Sequence, residues 1–198
     1  MFVTFEGVDG SGKSTQARLL AGALREEGRE VVATREPGGT GLGERIRELL
    51  LHGDGAAPWA EAALFAAARA QLADQVIRPA LARGADVVCD RYLDSSLAYQ
   101  GIGRGLGVDR VLELNLLAVG GLLPDRTFLL ELPVSEAARR RGADSDRLEA
   151  EGLEFAERVG IAYRELAEAF PRRIVAVDAT LSPDEQARIV RAELRDRS

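Results

Sequence analysis

In 198 residues the chain has one cysteine (Cys89), one lysine (Lys13), one histidine (His52), one tryptophan (Trp59) and one asparagine (Asn115), and each scarcity removes a class of protein. A lone cysteine excludes an internal disulfide framework. A lone histidine argues against a histidine-based metal centre. No apolar run approaches the ~20 residues that span a bilayer. The opening Met1-Phe2-Val3-Thr4-Phe5-Glu6 lacks the basic-then-apolar profile of a secretion signal, so a cytoplasmic location with no membrane partner is expected. The formal net charge of -6 argues against a general nucleic-acid binder, because phosphate backbones are held mainly by excess basic charge. A small anion is still an acceptable ligand where arginines converge. Every basic residue except Lys13 is arginine, which singles out position 13.

What is present reads as one domain over residues 1–198, long enough for a single sizeable core. Short apolar runs at residues 2–6, 30–34, 86–89, 127–132 and 173–177 are too short for helices and continuous enough for strands buried on both faces. Helical patterns separate them, over residues 14–27, 60–75, 108–119, 152–169 and 183–194, the last with Pro183 behind a Ser182 cap. Alternating strands and helices predict an α/β fold of three layers, a parallel sheet of about five strands with helices on both faces. Ligands then belong at the carboxyl ends of the strands. The glycine-punctuated stretches 36–43 and 139–147 are expected to be mobile loops. Cys89 reads as a small core residue, His52 as a helix-end residue and Trp59 as a packing anchor at a helix start.

Gly7-Val8-Asp9-Gly10-Ser11-Gly12-Lys13-Ser14 matches G-x-x-x-x-G-K-[ST] between an expected strand and an expected helix, the context that this motif requires. The glycines let successive backbone N–H groups face inward, and the helix start adds positive potential, which makes a cradle for phosphates of a nucleoside triphosphate. Lys13 is placed to reach the β and γ phosphates, the Ser14 hydroxyl to ligate magnesium, and Thr15 to close the cradle. Asp90-Arg91-Tyr92 follows another expected strand, so a carboxylate that can hold magnesium and a guanidinium that can fork onto phosphate emerge at the same sheet edge. A phosphate loop identifies the donor and leaves the reaction open. A nucleotide switch of the guanine type would need an Asn-Lys-x-Asp motif, which Asn115 and Lys13 cannot form.

The segments Phe5-Glu6-Gly7, Thr34-Arg35-Glu36-Pro37-Gly38-Gly39, Leu64-Phe65-Ala66-Ala67 with Arg69, Asp90 to Gly101 and Asp146-Arg147-Leu148-Glu149 together resemble the thymidylate kinases. The resemblance covers nearly the whole chain. It implies a P-loop NTPase fold, transfer of the γ-phosphoryl group of ATP to dTMP with Mg2+, and a homodimer. It further implies that Phe65 stacks on the base, Arg69 donates to a base carbonyl, Ser96 and Gln100 lie at the base edge, and Tyr99 crowds the sugar 2' position. Asp9 would face the acceptor sugar and phosphate region, while Glu36, Pro37 and Arg47 shape the monophosphate pocket. Residues 139–150 resemble the basic lid of the bacterial type, whose arginines close over the donor phosphates. Arg139, Arg140, Arg141 and Arg147 are its candidate catalytic cations, the sequence leaving open which of Arg139, Arg140 and Arg141 meets the transferring group, and Gly10 stands where the other type carries a loop arginine. A kinase for another nucleoside monophosphate is the alternative, with the Phe65, Arg69, Ser96 and Gln100 set discriminating between them.

Overall fold

The computed structural model of the chain describes residues 1–141, without the side chain of Arg141, and residues 151–195. Arg147 and the expected lid segment 142–150 lie outside these described residues. Five strands, β1 (Phe2–Glu6), β2 (Val31–Arg35), β3 (Asp86–Asp90), β4 (Arg126–Glu131) and β5 (Ile174–Asp178), form a sheet in the order β2-β3-β1-β4-β5. Every neighbouring pair is parallel, and Thr4 of β1 sits between Cys89 of β3 and Thr127 of β4. The strands at the centre are apolar along nearly their whole length because helices cover both of their faces. Phe5 stacks on Phe128 across the β1–β4 pair, with ring centroids 5.6 Å apart.

From β1 the chain steps past β3 to β2 through α1 (Lys13–Glu26); each later connection steps the opposite way across the sheet. Right-handed crossovers therefore put α1 on one face, and α2 (Gly41–His52), α3 (Pro58–Leu72), α4 (Arg78–Ala82), α6 (Val108–Ala118) and α8 (Leu153–Ala169) on the other. The last helix, α9 (Pro183–Arg195), returns to pack on α1. Its start is a capping box: Glu185 N donates to Ser182 Oγ at 3.3 Å and Ser182 N donates to Glu185 Oε2 at 3.0 Å. His52 ends α2, and Cys89 is fully buried with its thiol pushed up by that burial.

Three local features depart from the sequence expectation. The helix expected over residues 60–75 starts earlier, at Pro58, and runs on through a π-turn, Ala73–Ile77, into α4. Pro79 falls in the first turn of α4, so its missing N–H disturbs no regular ladder. A second π-turn, Leu97–Gly103, follows the single-turn helix α5 (Leu93–Ser96) and carries Tyr99 and Gln100. The segment 36–43 is pinned where a mobile loop was expected. Glu36, Pro37, Gly38 and Thr40 are buried, Gly39 N donates to Glu44 Oε1 at 2.8 Å, and Thr40 Oγ1 caps α2 by accepting from Gly43 N at 2.9 Å. Gly39 has φ +74°, and a Cβ there would lie 2.5 Å from Thr34 Oγ1. Its glycines serve close packing there.

A buried polar knot fastens α5 to the sheet. Asp94 is paired with Arg173, whose NH2 donates to Oδ1 at 2.7 Å, and Thr127 Oγ1 donates to Asp94 Oδ2 at 3.2 Å. Thr127 Oγ1 in turn lies 2.8 Å from Thr4 Oγ1. The knot fixes where Ser95 and Ser96 stand at the carboxyl edge of β1 and β3.

Candidate active site

The loop after β1 has the curled backbone that its glycines predict. Gly7, Gly10 and Gly12 have φ of +138°, +85° and +97°. Gly7 admits no side chain, since a Cβ would meet the Leu130 carbonyl oxygen at 2.6 Å. Gly12 is the cap of α1, so Lys13, Ser14 and Thr15 form the helix's first turn with their N–H groups directed at the loop. Val8 and Ser11 lie inward, Ser11 N donating to the Val8 carbonyl at 3.2 Å. Lys13 Nζ donates to the Val8 carbonyl at 2.8 Å and stands 3.6 Å from Asp9 Oδ1. Burial, and then the Arg91 charge, lower the Lys13 pKa against the opposing carboxylates.

Gly10, Gly12, Lys13, Ser14 and Thr15 floor a cleft of about 360 Å³. Its walls mix charges of both signs, Arg35, Arg47, Arg91 and Arg140 with Asp9, Glu36 and Asp90. Of the lid arginines, Arg140 alone among those described reaches this cleft, with NH1 donating to the Ala179 carbonyl at 3.1 Å and Nε to Glu136 Oε1 at 3.0 Å. Arg139, one residue earlier on α7 (Val134–Arg141), is 76% exposed and paired with Glu136. Arg147 and the Arg141 side chain lie outside the described residues.

Arg91 is the hinge between this cleft and a second pocket. Among the described residues it is the non-glycine one with positive φ, +69°, a conformation costing ~1–3 kcal/mol that persists only where surroundings impose it. Buried Glu6 imposes it: its Oε1 accepts from Tyr92 N at 2.7 Å and Ser95 N at 3.3 Å, and its Oε2 from Ser95 Oγ at 2.6 Å and Tyr163 hydroxyl at 2.9 Å. Arg91 NH1 donates to the same Ser95 Oγ at 3.0 Å and to Tyr163 at 3.2 Å, while NH2 is bonded to Asp9. Burial, then nearby Asp94, push the Glu6 carboxyl up. For Asp9 burial pulls the same way, but Arg91, Lys13 and the Tyr99 hydroxyl, 3.0 Å away, overturn it and hold the carboxyl well below the usual range.

The second pocket is lined by Phe65, Tyr99, Gln100, Ser95 and Ser96, together with Pro37 and Leu51. Asp9, Glu36, Arg47 and Arg91 line both spaces, so the two open onto each other across these four side chains. Arg47 is held there by donating NH1 to the Pro37 carbonyl at 2.9 Å. Phe65 rests on a small separate cluster of Ile46, Leu50, Leu51 and Ala68 and presents itself to the pocket. Arg69 lies behind the wall: Nε donates to Glu36 Oε2 at 2.6 Å, NH1 to Ser96 Oγ at 3.0 Å and to Asn115 Oδ1, and NH2 to the Tyr92 carbonyl at 3.1 Å. Burial pushes the Glu36 carboxyl up to about 7 although Arg69 opposes it.

A family model described as Thymidylate kinase matches residues 5–189. The chain belongs to the thymidylate kinase family. It is 54% identical over 187 residues to a Synechococcus thymidylate kinase, covering 94% of this chain and 90% of that one. With the thymidylate kinase of Thermomicrobium roseum it is 53% identical over 186 residues, covering 92% and 89%. The crystal structure of thymidylate kinase from Ehrlichia chaffeensis superposes with a TM-score of 0.77 at 37% identity, over 89% of this chain and 91% of that one. The fold is that of the P-loop NTPases, and the family's enzymes are nucleoside monophosphate kinases. A larger cavity of about 510 Å³, lined by Met1, Asp125 and Arg126 among others, sits at the opposite end of the strands. Parallel sheets bind ligands at their carboxyl ends, so the smaller paired spaces are the site.

Sequence reasoning missed Arg35, Glu6, Ser95 and Tyr163. A carboxylate closing an apolar strand, as Glu6 does, is a readable signal; Tyr163 is brought in by α8 from far along the chain and leaves none.

Proposed function

We propose that this thymidylate kinase transfers the γ-phosphoryl group of ATP to dTMP, giving dTDP and ADP, with the triphosphate in the cleft over residues 10–15 and the monophosphate in the pocket over Phe65. The observation that carries this reading is the shared wall of Asp9, Glu36, Arg47 and Arg91 between the two spaces. An acceptor phosphate there meets the donor's terminal phosphate end to end.

A monophosphate has a second pKa of ~6, so at neutral pH its attacking oxygen is already ionised and needs no strong base. The barrier is the approach of two anions. Lys13 and Arg140 on the donor side and Arg91 and Arg47 on the acceptor side neutralise and align them. Asp9, held ionised, fixes Arg91 and Tyr99 and turns toward the acceptor sugar. Asp90 Oδ2 accepts from Ser14 Oγ at 2.5 Å, while its Oδ1 is buried with no hydrogen-bond partner. Two hard oxygens beside an anion cradle fit Mg2+, which takes its other ligands from water and phosphate and would there neutralise charge on the donor. Arg140, at the end of the described part of α7, brings a lid cation to the donor cleft, where exclusion of water would keep the phosphoryl group from hydrolysis. Arg69 acts on the base edge through Ser96.

Leu49, Trp59 and Leu117, exposed on neighbouring α2, α3 and α6, support a homodimer through that face. Among the described residues no helix is long and apolar enough to cross a membrane.

The test is a coupled ADP-release assay across nucleoside monophosphates. Highest kcat/KM is expected for dTMP, with dUMP slower by the ~1–3 kcal/mol of one methyl group in a pocket. A purine monophosphate as best acceptor would overturn the assignment.

A further inference from the structure

Gln100 closes the base end of the acceptor pocket and is 1% exposed. Its amide has a donating and an accepting end, and a neighbour decides which faces the pocket. Nε2 donates to Glu61 Oε1 at 2.9 Å. A carboxylate only accepts, so the amide cannot present its oxygen to Glu61 without setting lone pairs against each other. Arg104 also meets this carboxylate with donors only: its Nε donates to Oε1 at 3.3 Å and its NH2 to Oε2 at 3.2 Å. What remains for the pocket is Gln100 Oε1, which is buried and has no hydrogen-bond partner. Ser96 is polarised in the opposite sense. Its oxygen accepts from the donor-only guanidinium of Arg69, which leaves the hydroxyl proton free to donate.

The pocket edge thus offers one acceptor and one donor. A pyrimidine imide, with N3–H between two carbonyls, matches this pair. A 4-aminopyrimidine carries a lone pair at N3 and would face the Gln100 oxygen unpaired, a mismatch that buried polar sites reject strongly. We infer that Glu61 is a specificity-determining positioning residue: by holding the Gln100 amide oxygen toward the acceptor pocket, it selects imide-bearing monophosphates over aminopyrimidine ones. This inference rests on the acceptor pocket assigned above and deepens it.

The experiment measures kcat and KM of the full chain for dTMP, dCMP and N3-methyl-dTMP, in wild type, Glu61→Gln and Glu61→Met. Glutamine can donate or accept, and methionine does neither strongly, so both release the amide while keeping similar volume; loss of folding in one leaves the other to decide. In either variant the dTMP/dCMP ratio of kcat/KM is expected to fall at least about tenfold, through KM, with KM for ATP unchanged. A ratio unchanged, or an equal loss on both acceptors as a merely structural role would give, overturns the inference. The wild type should discriminate against N3-methyl-dTMP, which lacks the N3–H. If the wild type uses it as well as dTMP, the base does not face Gln100 and the pocket assignment itself fails, a result distinct from failure of the Glu61 role alone.

Discussion

Lys13→Ala is expected to lower kcat by roughly 10²–10³-fold, the range for removing one preorganised group that stabilises charge in the transition state. Lys13 is the lysine of the phosphate loop, buried against the Val8 carbonyl and next to Asp9, so its ammonium is held at the loop proposed above to take the β and γ phosphates. Arg91 does not substitute for it, because its guanidinium is committed to Asp9, Ser95 and Tyr163. The fold survives the change, since the loop is shaped by its glycines and by the Leu130 carbonyl packed on Gly7. Steady-state kinetics with saturating dTMP, alongside a thermal melt, checks this; a near-normal kcat in folded protein would contradict the donor-side assignment.

Arg91→Ala carries the second large effect, and it falls on the acceptor. The substitution leaves Asp9 as an anion answered chiefly by Lys13, at the position where a second anion must enter. KM for dTMP is expected to rise and kcat to fall, for a combined loss in kcat/KM of about 10³-fold or more, while KM for ATP changes little. Arg91→Lys restores the charge without the planar fork that meets Asp9, Ser95 and Tyr163 together, so it should recover only part of the loss. Initial-rate measurements over a dTMP series separate the two parameters. A kcat/KM in Arg91→Ala within a few-fold of wild type would show that Arg91 serves the fold alone.

Much of this was readable in the chain itself. The strands stood out because both faces of a parallel sheet are covered, which turns β1 and β3 into short unbroken apolar runs; their ends moved by a residue where a polar side chain such as Arg35 or Asp178 continues the pairing. The phosphate loop was legible because it depends on local backbone geometry, and Gly7 and Gly12 are required by close approach and by φ. The two π-turns were not, since a widened turn leaves no period of its own in sequence and Pro79 reads as a stop. The glycines of segment 36–43 suggested mobility, whereas they are there to bring Thr34, Glu44 and Leu72 into contact with backbone. Arg69 shows the limit most clearly. Sharing a helix face with Phe65 predicts that both reach the ligand, yet Glu36, Asn115 and the Tyr92 carbonyl, distant in sequence, converge on its guanidinium and draw it behind the pocket wall. Glu61 is likewise silent in sequence, because its meaning depends on facing Gln100 across two helices.

The central claim is that two anions are brought end to end across Asp9, Arg47 and Arg91. A crystal structure with a non-hydrolysable ATP analogue and dTMP bound together tests it most directly. The account predicts the donor's terminal phosphate over Lys13 and Ser14, the acceptor phosphate between Arg91 and Arg47, and the base against Phe65; a monophosphate bound away from that shared wall would contradict it.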